Sequence, residues 1–237
     1  MKLAFGILSV PQRAGMASAL ARSLQAGMAV PQPVTISVDP ERMGSGRNTV
    51  QLLRSVNHTA DVVVVLQDDV VVCRNFVRAL YRSLPYLYAA KGLVAASYFA
   101  NTKKVVSAQS DHRWLRYSIR AWQNWMWTYA YALPMQVAQQ YVSWFQRHDD
   151  QDDWPDAAFE STSQPGRRRM VADDITLSAF LKESNVPVYL STLTLAQHMG
   201  GVSSLLGHRF DPATGKNYSP YFIGEDADGL AFDWSKV

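Results

Sequence analysis

The chain predicts an α/β fold, with a mainly parallel central sheet flanked by helices, and three observations carry that prediction. Strand-like and helix-like segments alternate through the first hundred or so residues, as in β-α-β units whose parallel strands are joined by right-handed crossovers. The run Ala60-Asp61-Val62-Val63-Val64-Val65-Leu66-Gln67-Asp68-Asp69-Val70 contains an unbroken apolar stretch, mostly β-branched, that reads as a strand buried on both faces. That strand ends in two carboxylates, and the carboxyl ends of parallel strands are where open α/β sheets place ligands.

The elements follow in order. Leu3 to Val10 reads as the first strand, and Ala14 to Gly27 as an Ala-rich helix with Ala17, Leu20 and Leu24 on one face and Gly27 as its stop. Pro33 to Val38 is a second strand ending at Asp39-Pro40, Asn48 to Asn57 a helix, and 61–66 the valine strand. Phe76 to Tyr88 reads as a helix and Gly92 to Phe99 as a strand. The second half is less regular. Residues 112–131 are aromatic and basic, and Pro134 to Arg147 reads as a helix with Pro in its first turn. His148 to Ser163 is acidic and loop-like, leading into Gly166-Arg167-Arg168-Arg169; a helix from Asp173 to Glu183 and a strand from Val186 to Leu190 follow. The C-terminal stretch, rich in Gly, Ser and Asp, lacks periodicity. No repeat and no linker divides the chain, so residues 1–237 are expected to form a single domain.

Composition narrows the class further. Of the 237 residues 48% are hydrophobic and 18% charged, enough apolar material for a sizeable core. A formal charge of +3 permits a polyanionic partner without demanding one. The lone Cys73 excludes an internal disulfide framework and fits a reducing compartment. The N-terminus superficially resembles a signal peptide, but Pro11-Gln12-Arg13 stands where a small-residue cleavage site should be, so a core strand is expected there. No stretch approaches the roughly 20 apolar residues of a membrane span. A soluble, cytoplasmic protein is expected.

Three residue groups carry the chemistry. Asp68 and Asp69, where a buried strand emerges, are costly to desolvate unless a cation, hydrogen bonds or water neutralise them. They suggest a metal-assisted site for a phosphorylated ligand; the alternative is a solvated Asp-Asp turn. Asp173 and Asp174 open a helix, where the dipole and orphan N–H groups favour an acid, and an ordinary N-cap is the competing explanation. His198, just before Gly200-Gly201 and Ser203-Ser204, could ligate Mn²⁺ as neutral imidazole, and Mg²⁺ less readily; it could equally be a structural histidine.

Read in order, these motifs resemble glycosyltransferases of the GT-A fold, a Rossmann-like architecture. Gln67-Asp68-Asp69 looks like the family's metal-binding "DxD" signature, although its first position is Gln67 rather than an acid. The resemblance implies Asp69 and His198 as ligands of Mn²⁺ or Mg²⁺, and Asp68 or Gln67 as a ribose contact. It also implies Asp174, with Asp173 in reserve, as the base that accepts the proton of the attacking hydroxyl in an inverting displacement. Arg13 and Asp39, after the first two strands, fall where the nucleotide would lie, and Arg47 where a diphosphate contact is possible. Residues 1–100 would then form the nucleotide-sugar-binding half, 101–205 the acceptor and catalytic half, and 206–237 a tail.

The resemblance implies a nucleotide-sugar donor, UDP-sugar first, and leaves two acceptor classes open. One is a glycan, lipid-linked saccharide or protein hydroxyl. The other is a 5-hydroxymethylpyrimidine in DNA, as in phage DNA-modifying enzymes, which would place the protein in the host cytoplasm. Arginines interleaved with aromatics suit stacking on bases or sugars, making Arg113, Arg116 and Trp127 acceptor candidates, with Arg168 from the basic cluster. The same tryptophans read equally as core, and the acidic stretch 149–156 could fold back on the arginines. A nucleotidyltransferase is a further alternative, against which stands the poor Gly-rich character of Pro11-Gln12-Arg13-Ala14-Gly15. A non-catalytic nucleic-acid-binding module is the last.

Overall fold

The computed structural model of the chain describes residues 1–41, 43–100, 113–119, 126, 128–159, 169–199, 201–202, 209–210, 219 and 221–237. The elements are β1 (Leu3–Ser9), α1 (Ala14–Ala26), β2 (Val34–Val38), α2 (Ser45–Ser55), β3 (Val62–Gln67), β4 (Val70–Val72) and α3 (Phe76–Lys91). They continue with β5 (Ala95–Ser97), β6 (Trp114–Tyr117), β7 (Ala130–Pro134), α4 (Met135–Gln151), α5 (Asp173–Glu183), β8 (Val188–Ser191) and β9 (Ala196–His198). A short hairpin, β10 (Gly201–Val202) with β11 (Arg209–Phe210), follows.

A seven-stranded sheet runs in the order β2-β1-β3-β7-β5-β8-β6. Strands β1, β2, β3, β5 and β8 point one way, and β7 and β6 point the other. The sheet is therefore mostly parallel, with one antiparallel strand inserted beside β3 and one on the edge. Both reversed strands come from the aromatic stretch that the sequence leaves irregular.

The valine run behaves as its composition requires. Val62, Val64 and Leu66 face one apolar layer, with α1 and α3 (Leu20, Leu24, Phe76, Leu80). Val63 and Val65 face the other, with α2, α4 and α5 (Leu53, Tyr141, Leu177, Phe180). Each fully buried side chain of this kind contributes roughly 1.5–3 kcal/mol relative to exposure. Gross burial along β3 thus exceeds the several kcal/mol that desolvating the carboxylates at its end would cost. In β1, Gly6 faces α2, and a Cβ there would lie 2.7 Å from Leu52 Cδ2. The glycine lets α2 sit close against the strand.

The first-half expectations hold, with boundaries shifted by a few residues. Helix α2 starts at Ser45, ahead of Asn48, and α3 runs on to Lys91. The expected strand from Gly92 to Phe99 shortens to Ala95–Ser97. Part of the supposed acidic loop is helix, since α4 extends through His148 to Gln151. Cys73 is free and buried. Among the described residues no helix is long and apolar enough to cross a membrane.

Candidate functional site

The carboxyl ends of β1 and β3 adjoin, because these strands pair in parallel. Two backbone bonds fix the turns beyond them: Asp68 N–H donates to Leu8 O at 3.0 Å, and Asp39 N–H to Ser9 O at 3.0 Å. Both Asp68 and Asp69 are buried. Ser9 Oγ donates to Asp68 Oδ2 at 2.7 Å. Arg13, at the end of a one-turn 3₁₀ segment (Pro11–Arg13), donates through Nη1 to Asp68 Oδ1 at 3.1 Å and also to Asp69 Oδ2.

His198 arrives by a different route. Beyond Asp69 the chain forms β4, which pairs antiparallel with β9 and sets Val70 opposite His198. Asp69 O accepts from Met199 N–H at 2.9 Å. The result places His198 Nε2 3.1 Å from Asp69 Oδ2, with both side chains almost fully enclosed. Gln197 holds the turn: its Oε1 accepts from His198 N–H and Ser219 N–H, each at 3.0 Å, while its Nε2 donates to Ser219 O at 2.7 Å. Tyr129, just before β7, packs edge-on against the imidazole with centroids 4.9 Å apart.

The two carboxylates differ in electrostatics. Burial raises Asp68, with the neighbouring Asp69 charge adding to it, and the bonds from Ser9 and Arg13 offset only part of that rise. Burial also pushes Asp69 upward, but the hydrogen bond and charge of His198, then Arg13, outweigh it and hold Asp69 below the ordinary aspartate value. Asp69 Oδ1 is buried with no hydrogen-bond partner. That orphan oxygen has lone pairs to offer a cation, and unpaired buried carboxylate oxygens are otherwise costly. The 3.1 Å between Asp69 Oδ2 and His198 Nε2 is close to the about 3.0 Å that separates adjacent ligands on an octahedral cation with bonds of about 2.1 Å. One carboxylate and one imidazole suit Mn²⁺ better than Mg²⁺. Among the described residues no three His, Cys, Asp or Glu side chains form a metal-binding group.

Asp173 and Asp174 occupy the first turn of α5, and the N-cap position is Ala172, which makes no side-chain capping bond. The pair thus stands in the first turn, starting one residue beyond the N-cap position. Asp173 is fully enclosed; its N–H donates to Ser45 Oγ at 3.0 Å, and its Oδ2 has no partner. Burial raises its pKa, and hydrogen bonds from Ser45 and Thr128 offset only part of the rise. Asp174 is half-buried and accepts the Ile175 N–H through Oδ1 at 2.8 Å. The Tyr129 hydroxyl is pushed upward by burial and then by the charges of Asp69, Asp174 and Asp173, so the tyrosine lies in the field of both acidic groups. Two glycines let α2 meet this turn. Gly44 has φ +100°, and a Cβ on it would lie 2.7 Å from Val171 N; Gly46 N–H donates to Val171 O at 2.8 Å.

Arg13, Asp68, Asp69 and His198 therefore converge, with Gln67 beside them, its Nε2 3.4 Å from Thr128 Oγ1. Asp39 sits at the same edge, but its oxygens accept from Met43 and Gly44 N–H at 2.9 and 3.1 Å and close the loop into α2. Arg47 is committed within the fold. It forks onto Asp149 (Nη2 to Oδ1, 2.7 Å) and donates to the carbonyls of Met43 and Arg169, so a diphosphate contact there would have to break a buried ion pair. The acidic stretch does fold back on arginines, since Asp156 also pairs with Arg169 at 3.0 Å.

Arg113 and Arg116 do not join the cluster. Arg113 donates through Nε to Asp233 O at 3.0 Å, beside the edge strand β6. That strand lies four places from β3, roughly 19 Å at about 4.8 Å per strand. Arg116 lines a cleft of about 390 Å³ with Lys182, Asn185 and Val188, at the amino end of β8 and so at the opposite edge from Asp69. Trp114 is core, packed against Tyr98. Trp127 and Arg168 lie outside the described residues. Sequence reading missed Ser9 and Gln197 as positioning residues and Tyr129 as the partner of the imidazole; nothing local marks them, because their partners are distant in the chain. No protein-family model matches the sequence, and the search of curated proteins finds no match.

Proposed function

We propose that the chain is a metal-dependent glycosyltransferase that moves a sugar from a nucleotide-sugar donor, UDP-sugar first, to a hydroxyl acceptor with inversion. The observation that carries this reading is the Asp69–His198 pair at 3.1 Å, with an unpaired buried carboxylate oxygen, at the carboxyl edge of a mostly parallel sheet. A divalent cation held by Asp69 and His198 would supply Lewis-acid stabilisation of the departing nucleoside diphosphate. Arg13 is the cation best placed to meet a phosphate oxygen. Asp174 is the better proton acceptor of the acidic pair: it is half-buried, within an acceptor's reach, whereas Asp173 is sealed from solvent. Asp173 then acts as a positioning residue, fixing the first turn of α5 through Ser45.

The acceptor hydroxyl belongs either to a saccharide or to hydroxymethylated DNA. Arg113 and Arg116 stand away from Asp69 and so lend no support to DNA over a saccharide. The test is to incubate the protein with a panel of nucleotide sugars plus Mn²⁺ and to measure release of free nucleoside diphosphate. Parallel reactions add simple sugars, unmodified DNA or hydroxymethylated DNA. Diphosphate release that needs Mn²⁺ and is lost in Asp69→Asn by about 10²-fold or more supports the proposal. Pyrophosphate release from a nucleoside triphosphate supplied with a sugar phosphate would instead mark a nucleotidyltransferase, and nucleic-acid binding indifferent to Asp69→Asn would mark a binding module.

A further inference from the structure

We infer that Arg13 is a resident counter-ion for the Asp68–Asp69 pair, which an incoming divalent cation must displace and which then passes to the phosphates of the nucleotide. The inference rests on the nucleotide-sugar reading above and adds to it an exchange of partners at the same site. One Arg13 nitrogen, Nη1, serves both carboxylates, at 3.1 Å from Asp68 Oδ1 and on Asp69 Oδ2. That same Asp69 oxygen faces His198 Nε2 at 3.1 Å. A cation between Asp69 and His198 would sit on the same carboxylate as the guanidinium, whether it takes the shared Oδ2 or the unpaired Oδ1, and two positive groups so close repel strongly in a buried setting. Arg13 cannot simply be absent, because two adjacent buried carboxylates need a counter-charge while the site is free of cation.

The arginine is built to move. Its side chain keeps 17% exposure, against 5% for Asp68 and 6% for Asp69. Its backbone closes a 3₁₀ turn, Arg13 N–H to Val10 O at 2.9 Å, that leads straight into α1, so the exchange asks the side chain and not the backbone to move. Its long side chain can swing while α1 stays packed through Ala17, Leu20 and Leu24. Phosphate oxygens offer the guanidinium charge-assisted hydrogen bonds in place of the single-nitrogen contacts it gives up on leaving the carboxylates. Cation and nucleotide binding are then linked, each making room for the other.

The test is Mn²⁺ binding to the full chain, followed by electron paramagnetic resonance without nucleotide, for the wild type, Arg13→Gln and Arg13→Lys. Removing the competing charge should tighten binding of free Mn²⁺ by about tenfold or more in Arg13→Gln, while weakening UDP binding at saturating Mn²⁺. Without Mn²⁺ this variant should melt below the wild type, and Mn²⁺ should restore more of its Tm than it adds to the wild type's. Arg13→Lys keeps the charge but loses the fork, and should shift Mn²⁺ affinity in the same direction by less; it carries the test if the Gln variant does not fold. Mn²⁺ affinity that is unchanged or weakened in the variants overturns the exchange and leaves the glycosyltransferase reading standing. Failure of Mn²⁺ to bind any of the three proteins, with or without UDP, overturns both.

Discussion

Two buried aspartates of this chain, Asp69 and Asp173, have opposite titration behaviour, and their stability signatures separate them. Asp69 has its pKa lowered below the ordinary 3.8 by His198 and Arg13, despite burial. It contributes stability that is present above about pH 3.8 and lost as the pH falls through its depressed value. Asp173 is raised above 3.8 by burial. Its penalty is absent below that pH and grows as the pH rises through its folded value. Asp69→Asn should therefore lower Tm at pH 7, with the gap to wild type narrowing below pH 4. Asp173→Asn should raise Tm at pH 7, with a gain that fades as the pH falls from its folded value toward about 3.8. Thermal melts between about pH 3 and 7 check both signs, and an Asp173→Asn protein that melts lower at pH 7 would contradict the burial argument. For Asp174→Asn, turnover should fall by roughly 10²–10⁴-fold while Tm changes little, since the proposal makes this half-buried residue the general base.

Two contacts between elements hold the site: the β4–β9 ladder and the approach of α2 to Val171. Gly44 has a left-handed φ of +100°, and any Cβ added to it would meet the Val171 backbone at 2.7 Å, so neither strain nor clash can relax cheaply. Gly44→Ala should cost about 2–3 kcal/mol, a Tm drop of roughly 5–10 °C, and should displace the first turn of α5, as a loss of turnover larger than the loss of folded protein would report. In the ladder, Gln197→Leu would leave both backbone groups of Ser219 without their Gln197 bonds and free the His198 turn. A loss of about 2–4 kcal/mol in denaturant melts is expected, together with weaker Mn²⁺ binding. Legibility in the sequence differs sharply among these elements. The valine strand and the Ala-rich helix announce themselves through β-branching and a 3.6-residue stripe. Strand β7, Ala130-Tyr131-Ala132-Leu133-Pro134, carries neither signal: it has no β-branched residue, is buried on both faces and so shows no alternation. Its burial between β3 and β5 comes from tertiary pairing alone.

At the scale of the molecule, one sheet edge gathers residues from Arg13 to His198, and their order along the chain is readable from the sequence alone. The acids at the end of β3, the pair opening α5 and the late histidine all stand where their local patterns point. Their partners are not readable, because each is set by long-range pairing: Arg13 turns to Asp68 and Asp69, Arg47 to Asp149, and Val70 lies opposite His198. Within the aromatic, basic segment the same holds for the described residues: Trp114 is spent in the core and Arg116 lines the far edge. The proposed chemistry depends above all on a single cation between Asp69 and His198 when nucleotide is bound. Crystals grown with UDP and Mn²⁺, measured at the manganese absorption edge, would locate that cation without inference. The expected result is an anomalous peak within about 2.3 Å of an Asp69 carboxylate oxygen and of His198 Nε2, touching the diphosphate. Nucleotide bound with no such peak, or a peak remote from both side chains, would contradict it.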